Sequence, residues 1–192
     1  YGSYRGRLGR DGSKFARLRH QQLALTGNEQ RSLGVAKQIV QAKLANQRNL
    51  LLRIQPQAAK GDSSDGGEAA ARIGRAAEGI DRMRRECLRA ATADALRGFE
   101  GKAGAYYFGA IKPLLDLKWS FEGRAYYPPP DPFNAVLSFG YSLLLKDVTA
   151  TIHLVGLDPY LGCFHALEYG RPSLTLDLME EFRPLIVDQA IL

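Results

Sequence analysis

The chain has 192 residues, 45% of them hydrophobic, which is enough to bury the core of one ordinary domain. Its two cysteines form neither a disulfide framework nor a zinc knuckle, and no uninterrupted run of about 20 apolar residues indicates a membrane span. The net charge of +6 is uneven, because residues 1–60 hold 12 Lys and Arg against 2 Asp and Glu, whereas residues 61–192 hold 14 against 18.

This uneven charge favours a protein that meets phosphate with its basic part and keeps acidic groups elsewhere for a metal ion. A basic surface gains affinity for nucleic acid because it releases the counterions condensed on the phosphates. A solvated basic surface without a nucleic-acid partner explains the charge alone equally well. The low cysteine content and the lack of an apolar leader predict a reducing, cytoplasmic location.

The amino-terminal residues predict the edge of another domain. Residues 1–14 carry four glycines that alternate with Tyr, Arg and Leu, which is typical of the end of a strand followed by a turn at Asp11-Gly12. The chain starts at Tyr1 and stops at Leu192 within an apolar, helix-like stretch. We therefore expect a fragment of a longer protein.

Two helical tracts follow. Residues 33–54 have apolar side chains at roughly helical spacing with basic residues among them, which predicts an amphipathic helix. A polar, turn-rich loop at 60–68 separates it from a second tract, which extends from Ala69 to about Ala110. Three glycines interrupt the second half of that tract and indicate close backbone packing: Gly98, Gly101 and Gly104.

Prolines define the next helix. Residues 126–130 are predicted to be extended, because each proline disfavours helical geometry in the residue before it. Asp131 then supplies an N-cap, with Pro132 at the first helical position. The helix is expected to reach about Asp147, and residues 148–155 continue it or form a short strand before a turn at 156–159.

The last predicted helix carries an acidic pair. After a break at 170–172, residues 173–177 are expected to be extended, and Asp177 is expected to cap a helix that extends from Leu178 toward Leu192. In that register Glu180 is the third helical residue, so both carboxylates face one side of the first turn. Capping alone explains such a pair and is commoner than a site. The chain as a whole is predicted to be mainly α.

Three further side chains are candidates for chemistry or binding. His165 lies in an apolar segment, where a core histidine is commoner than a ligand. Glu100 lies on a Gly-rich, apolar face and is costly to bury unless it is paired or coordinates a cation; a surface pair with Arg97 or Lys102 is equally compatible. The guanidinium of Arg171 suits a phosphate clamp, although a turn arginine is the simpler interpretation.

Aromatic pairs occur at 106/107 and 126/127, and stacking on splayed bases is one use for them. Core packing is commoner at these spacings. Of these residues only Tyr106 is kept as a candidate for nucleic-acid contact.

Four segments resemble a known family. They are VAKQIVQAKLANQRNLL at 35–51, FEGKAGAYYF at 99–108, PPPDPFNAVLSFGYSLL at 128–144 and GLDPYLGCFHALEYGRPSLTLDLMEEFRPLIVD at 156–188. Over nearly the whole chain they resemble the CRISPR-associated protein Cas1, the integrase and endonuclease of spacer acquisition. The fourth segment is the most specific of them.

The resemblance implies the end of a β-rich domain and its linker at residues 1–28, followed by a helical catalytic domain at 29–192. It also implies Mn²⁺ or Mg²⁺ as cofactor, with Glu100, His165 and Glu180 as metal ligands and Asp177 as a further catalytic residue. Many relatives have aspartate where this chain has Glu180, which keeps the charge on a longer arm. The residues expected to contact DNA are Arg171, Tyr106 and Lys102.

In function, the resemblance implies metal-dependent strand transfer that inserts protospacer DNA into a CRISPR array in a prokaryotic cytoplasm. A DNA 3′-hydroxyl attacks a repeat phosphodiester in this reaction. The implied partners are double-stranded DNA (protospacer and CRISPR repeat), a second copy in a homodimer and the Cas2 protein, with no membrane. Two alternatives stay open: a general metal-dependent nuclease on branched DNA, and a non-catalytic DNA-binding scaffold favoured by the basic amino-terminal section.

Overall fold

A computed structural model describes residues 15–59, 66–125 and 127–192, and within these ranges the chain is helical and contains no β-strand. The mainly α prediction is therefore confirmed. Two 3₁₀ turns join the fourth helix to the fifth, at Lys112–Leu114 and Leu117–Trp119, and a π-helical turn at Arg183–Asp188 follows the sixth. The helices are α1 (Ala16–Thr26), α2 (Glu29–Ala58), α3 (Gly66–Arg89), α4 (Ala93–Ile111), α5 (Pro132–Val155), α6 (Ser173–Phe182) and α7 (Gln189–Ile191).

The amino-terminal helix α1 packs on the body of the helical domain. Gln22 donates from Nε2 to the carbonyls of Asp158 (2.8 Å) and Leu161 (3.0 Å), and its Oε1 accepts from the amide of Asp158 (2.9 Å). Within the predicted β-domain segment 1–28, residues 16–26 are thus helical. The strand and turn predicted for 1–14 lie outside the described residues, and the boundary at residue 28 stays a prediction.

Helix α2 is the centre of the core, because it packs against α3, α4 and α6. Its buried residues recur at helical spacing and are Ala36, Val40, Leu44, Gln47, Leu50 and Leu51. Each fully buried Leu or Val contributes about 1.5–3 kcal/mol. This is the amphipathic pattern predicted for 33–54, and the helix extends four residues beyond each end of that range, to Glu29 and Ala58.

The single tract predicted from Ala69 to Ala110 is wrong, because it consists of two helices. Thr92 is extended and caps α4, and its hydroxyl accepts from the amide of Ala95 at 3.2 Å. The glycines at 98, 101 and 104 lie inside α4, and a Cβ added at any of them would meet open space, so close backbone packing is not their role. The other end also differs, since Gly66, predicted as loop, already belongs to α3.

The start of α5 is as predicted. Asp131 is extended and caps the helix, its carboxylate accepting from the amide of Asn134 at 2.7 Å, and Pro132 occupies the first turn. The side chain of Asn134 donates to Asp131 (2.7 Å) and to the carbonyl of Gly123 (2.9 Å), which ties the preceding loop to the helix. Residues 148–155 continue the helix, and Gly156 ends it at φ +88°.

Helix α5 is long and apolar. By length and mean hydropathy alone it is able to cross a membrane, and the segment that meets these criteria is 22% buried. Ser138, Gly140 and Ser142 interrupt the apolar run of this helix, but composition alone does not exclude it as a membrane span. One face of α5 packs into the core through Phe133 and Leu137, and its outer face lines an apolar groove of about 820 Å³ with α6 and α7.

The cap of α5 gives a first prediction. Replacing Asp131 by Ala removes the acceptor of the Asn134 amide and a partner of its side chain, and should lower the free energy of unfolding by about 1–2 kcal/mol in urea titration. The matched control is Asp131→Asn, because its carbonyl still accepts from the amide. Equal stability of the Ala and Asn variants would contradict the assigned cap.

Candidate active site

Helix α6 begins earlier than predicted. It starts at Ser173, so residues 173–177 are helical rather than extended, and Asp177 is not the cap. The reason is a remote acceptor: the carbonyl of Pro159 accepts from the amides of Leu174 (2.9 Å) and Thr175 (3.4 Å). Because the loop before α6 satisfies these first amides, Asp177 lies one turn inside the helix and is available for other contacts.

Asp177 organises the loop that carries His165. Its carboxylate is fully buried, and it accepts from the amides of Cys163 (2.5 Å), Phe164 (3.0 Å) and His165 (2.9 Å). The same carboxylate is 2.8 Å from His165 Nδ1. Since an ionised carboxylate only accepts, Nδ1 is the donor in this pair, and Nε2 lies on the other side of the ring.

Glu180 lies on the same face of α6, one turn after Asp177. Its Oε1 is 3.7 Å from His165 Nε2 and 3.4 Å from a terminal nitrogen of Arg183, and its side chain is 4% exposed. Burial raises the pKa of Glu180, but the nearby charges of Lys43 and Arg183 and a hydrogen bond from Lys43 outweigh it, so the pKa lies below its usual value. Glu180 is therefore ionised although it is buried.

Glu100 joins the cluster through Lys43. The ammonium of Lys43 forms an ion pair with Glu100 Oε1 at 2.5 Å and a second one with Glu180 Oε2. Burial lowers the pKa of Lys43, but the two carboxylates raise it more, so the lysine stays charged. The alternative of a surface pair for Glu100 is not found, because Arg97 instead contacts Asp94 and the Phe164 carbonyl, and Lys102 is exposed.

Sequence reasoning did not assign a role to Lys43, although a signal was present. Lys43 follows Val40 by three residues and precedes Gln47 by four, so it lies on the buried stripe of α2. A lysine in such a stripe is costly to bury unless a negative group compensates it. The helical pattern alone therefore already indicated that Lys43 has a buried carboxylate as its partner.

A second buried cluster lies beside the first. Asp188, in the π-helical turn, accepts from the hydroxyls of Tyr107 (2.9 Å) and Tyr141 (2.6 Å), and the guanidinium of Arg183 lies 4.8 Å from the centre of the Tyr141 ring. These contacts hold Arg183 against Tyr141 and next to Glu180. None of the four side chains was predicted to belong to a site, since tyrosines at such spacings are more often simple core residues.

Glu100, His165, Asp177 and Glu180 therefore converge, whereas the residues predicted to bind DNA lie apart from them. Arg171 pairs with Glu168 at 3.1 Å on the loop before α6. Tyr106 packs against Gly79 between α3 and α4, where an added Cβ would come within 2.9 Å of its ring. Lys102 lies about 200° around α4 from Glu100, because successive residues are about 100° apart.

The donor chemistry of the cluster suits a divalent cation. Two carboxylates converge on one positive charge, His165 Nε2 lies 3.7 Å from Oε1 of one of them, and the buried Glu180 Oε2 has no hydrogen-bond partner apart from its ion pair. In this conformation, however, no three His, Cys, Asp or Glu side chains among the described residues surround one point closely enough to hold an ion. The cation between Glu100 and Glu180 is the ammonium of Lys43.

Fold and site together define a mainly helical protein whose candidate active site is a buried cluster of carboxylates with a histidine and a lysine. The family described as "CRISPR associated protein Cas1" matches residues 1–192. The chain belongs to the Cas1 family, as the sequence resemblance predicted.

Curated relatives are similar over nearly the whole chain. A CRISPR-associated exonuclease Cas4/endonuclease Cas1 fusion from Rhodospirillum rubrum is 37% identical over 97% of the chain, and a CRISPR-associated endonuclease Cas1 from Moorella thermoacetica is 34% identical over 100% of it. The chain spans only 31% of the first relative and 55% of the second.

Solved structures have a similar fold. A CAS1 protein from Thermotoga maritima superposes with a TM-score of 0.75 at 28% identity, over 91% of this chain and 50% of that one. Two more distant structures share the fold: a casposase bound to an integration product (TM-score 0.71, 21% identity, 92% of this chain and 48% of that one) and a Cas6-RT-Cas1–Cas2 complex (0.76, 23%, 97% and 20%).

The close approach of the His165 loop to α6 gives a second prediction. A Cβ added at Gly162 would lie 2.6 Å from the Ser173 carbonyl carbon, 2.8 Å from the Leu174 amide nitrogen and 2.7 Å from Asp177 Oδ2. Since backbone cannot move aside cheaply, Gly162→Ala should lower the free energy of unfolding by about 1–3 kcal/mol. Gly98→Ala, which adds its methyl in open space, is the control and should not destabilise the protein. Equal effects would argue against a tight contact.

The Asp188 cluster gives a third prediction. Burial raises the pKa of Asp188 above its ordinary 3.8 by more than the Tyr141 and Tyr107 hydroxyls lower it. The folded protein therefore keeps this proton at pH values where the unfolded chain has lost it, and stability declines as the pH rises from 3.8 through the folded pKa. Asp188→Asn removes this decline, so the free energy of unfolding of the variant minus that of the wild type should increase over that window.

Asp81 is the matched control, because its pKa is shifted in the opposite direction. Burial raises the pKa of Asp81, but hydrogen bonds and charges from Arg84 and Arg85 lower it more, to below 3.8. The corresponding difference for Asp81→Asn should therefore decrease as the pH rises toward 3.8. A flat difference for Asp188→Asn across the acidic range would contradict the raised pKa.

Proposed function

We propose that this chain is the catalytic part of a CRISPR adaptation integrase and endonuclease, which inserts protospacer DNA into a CRISPR array. The observation that carries the proposal is the buried convergence of Glu100, His165, Asp177 and Glu180 in a chain of the Cas1 family. The chain spans about half or less of the relatives cited above, and their names as endonucleases support phosphodiester chemistry.

The proposed reaction is a transesterification. The 3′-hydroxyl oxygen of the protospacer bonds to a repeat phosphorus and loses its proton to solvent, while the repeat 3′-oxygen leaves and takes up a proton from solvent to become a 3′-hydroxyl. One phosphodiester forms as one breaks, so the reaction needs neither a covalent enzyme intermediate nor an energy source.

The proposed cofactor is Mn²⁺ or Mg²⁺, with Glu100, His165 and Glu180 as its ligands. When bound, such an ion polarises a phosphoryl oxygen and stabilises the charge that develops. Asp177 acts by fixing the ring of His165, because its bond to Nδ1 leaves Nε2 as the free donor atom. An imidazole in the ligand set suits Mn²⁺ better than Mg²⁺, which prefers oxygen ligands.

Double-stranded DNA, a second copy of the chain and Cas2 are the proposed partners. The excess of Lys and Arg among residues 1–60, 12 against 2 Asp and Glu, supports an electrostatic attraction to phosphate. Arg171 and Lys102 lie outside the carboxylate cluster, where they would bind flanking DNA, whereas the ring of Tyr106 packs between α3 and α4 and is only partly exposed. The fold shared with the Cas6-RT-Cas1–Cas2 complex and with the casposase bound to an integration product supports DNA and Cas2 as partners. We propose a cytoplasmic location without a membrane partner.

A non-catalytic DNA-binding scaffold is the second candidate. The position of the Lys43 ammonium between Glu100 and Glu180 favours it, because a permanent ion pair there would exclude a metal. A scaffold would bind DNA with steep salt dependence but would take up no divalent ion.

A strand-transfer assay tests the proposal. Labelled protospacer, Cas2, Mn²⁺ and a supercoiled plasmid with the repeat are incubated with wild type, His165→Ala, Glu100→Gln or Glu122→Gln. Loss of a ligand should reduce transfer about 100-fold or more, whereas the exposed, loop-borne Glu122 should tolerate the change.

Undiminished transfer by His165→Ala would overturn the integrase proposal. Cleavage of branched DNA that is equally fast with and without Cas2 would support the general nuclease instead.

A further inference from the structure

Neither the sequence nor the proposed chemistry assigns a role to Lys43, which lies within the cluster. Its ammonium bridges two carboxylates that come from different helices, Glu100 on α4 and Glu180 on α6, while Lys43 itself is on α2. The three helices of the core are thus joined at one point by charge. The point of convergence already contains a cation, and that cation is part of the chain.

A cation at this point stabilises the metal-free fold. The side chains of Glu180 and Glu100 are 4% and 21% exposed, so water screens their mutual repulsion poorly. Two buried carboxylates that face each other are costly unless a positive charge compensates them. Arg183 does not serve this purpose alone, because it contacts Glu180 Oε1 and lies over the Tyr141 ring, away from Glu100.

Lys43 is also suited to leave. Its ammonium is a point charge on a flexible four-carbon stem, and its side chain is 12% exposed, so an opening to solvent exists next to it. Withdrawal needs rotation about side-chain bonds and no backbone movement. By contrast, four fixed contacts hold Asp177, three of them with backbone amides, so that part of the site stays in place.

We propose that Lys43 is a built-in counter-ion that occupies the cation position of the metal-free site and is displaced by the incoming divalent ion. This inference rests on the proposed metal site and adds the residue that regulates its occupancy. Metal binding is then an exchange of one cation for another, and the affinity for metal is reduced by the fraction of molecules in which Lys43 is in place. The same lysine stabilises the fold while metal is absent.

Mn²⁺ titration of the full chain tests the exchange directly. The Kd is measured by isothermal titration calorimetry and by loss of the free-Mn²⁺ electron paramagnetic resonance signal, for wild type, Lys43→Gln, Lys43→Arg and Lys37→Gln. Lys37 is the matched control, because it lies on the same helix and its ammonium contacts the Leu88 carbonyl at the surface. Thermal unfolding with and without Mn²⁺ is recorded for the same four proteins.

The expected result for Lys43→Gln is Mn²⁺ binding about tenfold tighter or more, since no ammonium competes. Its Tm without metal should be lower than that of wild type, and the rise in Tm on adding Mn²⁺ should be larger. Lys43→Arg keeps the positive charge on a bulkier, planar group, so its Kd should be no tighter than that of wild type. Lys37→Gln should behave as wild type does.

The outcomes separate the two proposals. Equal or weaker Mn²⁺ binding by Lys43→Gln, with wild type still binding the ion, overturns displacement and leaves the metal site standing. Tighter binding by Lys43→Arg likewise overturns it. If no protein of the set binds Mn²⁺, both the metal site and the displacement are wrong. If Lys43→Gln does not fold without metal, the Kd of Lys43→Arg and the recovery of Lys43→Gln on adding Mn²⁺ decide the question.

Discussion

Burial of negative charge is the constraint on which the rest of this structure depends. Three acids, Asp177, Glu180 and Asp188, lie in the segment from α6 through the π-helical turn, and all three are buried. A buried carboxylate is tolerated only when donors or cations replace the water it has lost. Different groups compensate each of the three carboxylates, and in each case the contacts join α6 or the π-helical turn to another part of the chain.

The contacts that compensate the buried carboxylates explain the arrangement of the site. Backbone amides and the imidazole of His165 surround Asp177, so the helix and the preceding loop become one unit. Two cations compensate Glu180, so α2 and the π-helical turn are tied to α6. Phenol hydroxyls from α4 and α5 satisfy Asp188. The same contacts that make burial possible thus position the side chains that we propose as catalytic.

The cluster contains a fixed part and an exchangeable part. Amide donors are covalently part of the backbone, so the His165 loop cannot leave Asp177 without local unfolding. The Lys43 ammonium has no such restriction, because only its side chain must move. For the proposed integrase this division is useful: the fixed part orients the imidazole before any ion arrives, and the exchangeable part keeps the metal-free protein folded.

Sequence alone determined those features that depend on neighbours within a helical turn or on a family motif. The apolar period of α2, the Asp131-Pro132 start of α5 and the identity of the four clustered candidates followed from it. The predicted start of α6 was wrong because the carbonyl of Pro159, from another segment, accepts hydrogen bonds from the first amides of the helix. Lys43 as the partner of Glu100 was decided only by tertiary structure, since the two residues are 57 positions apart. Propensity and capping act over about four residues, whereas charge compensation acts through space between segments whose proximity exists only after folding.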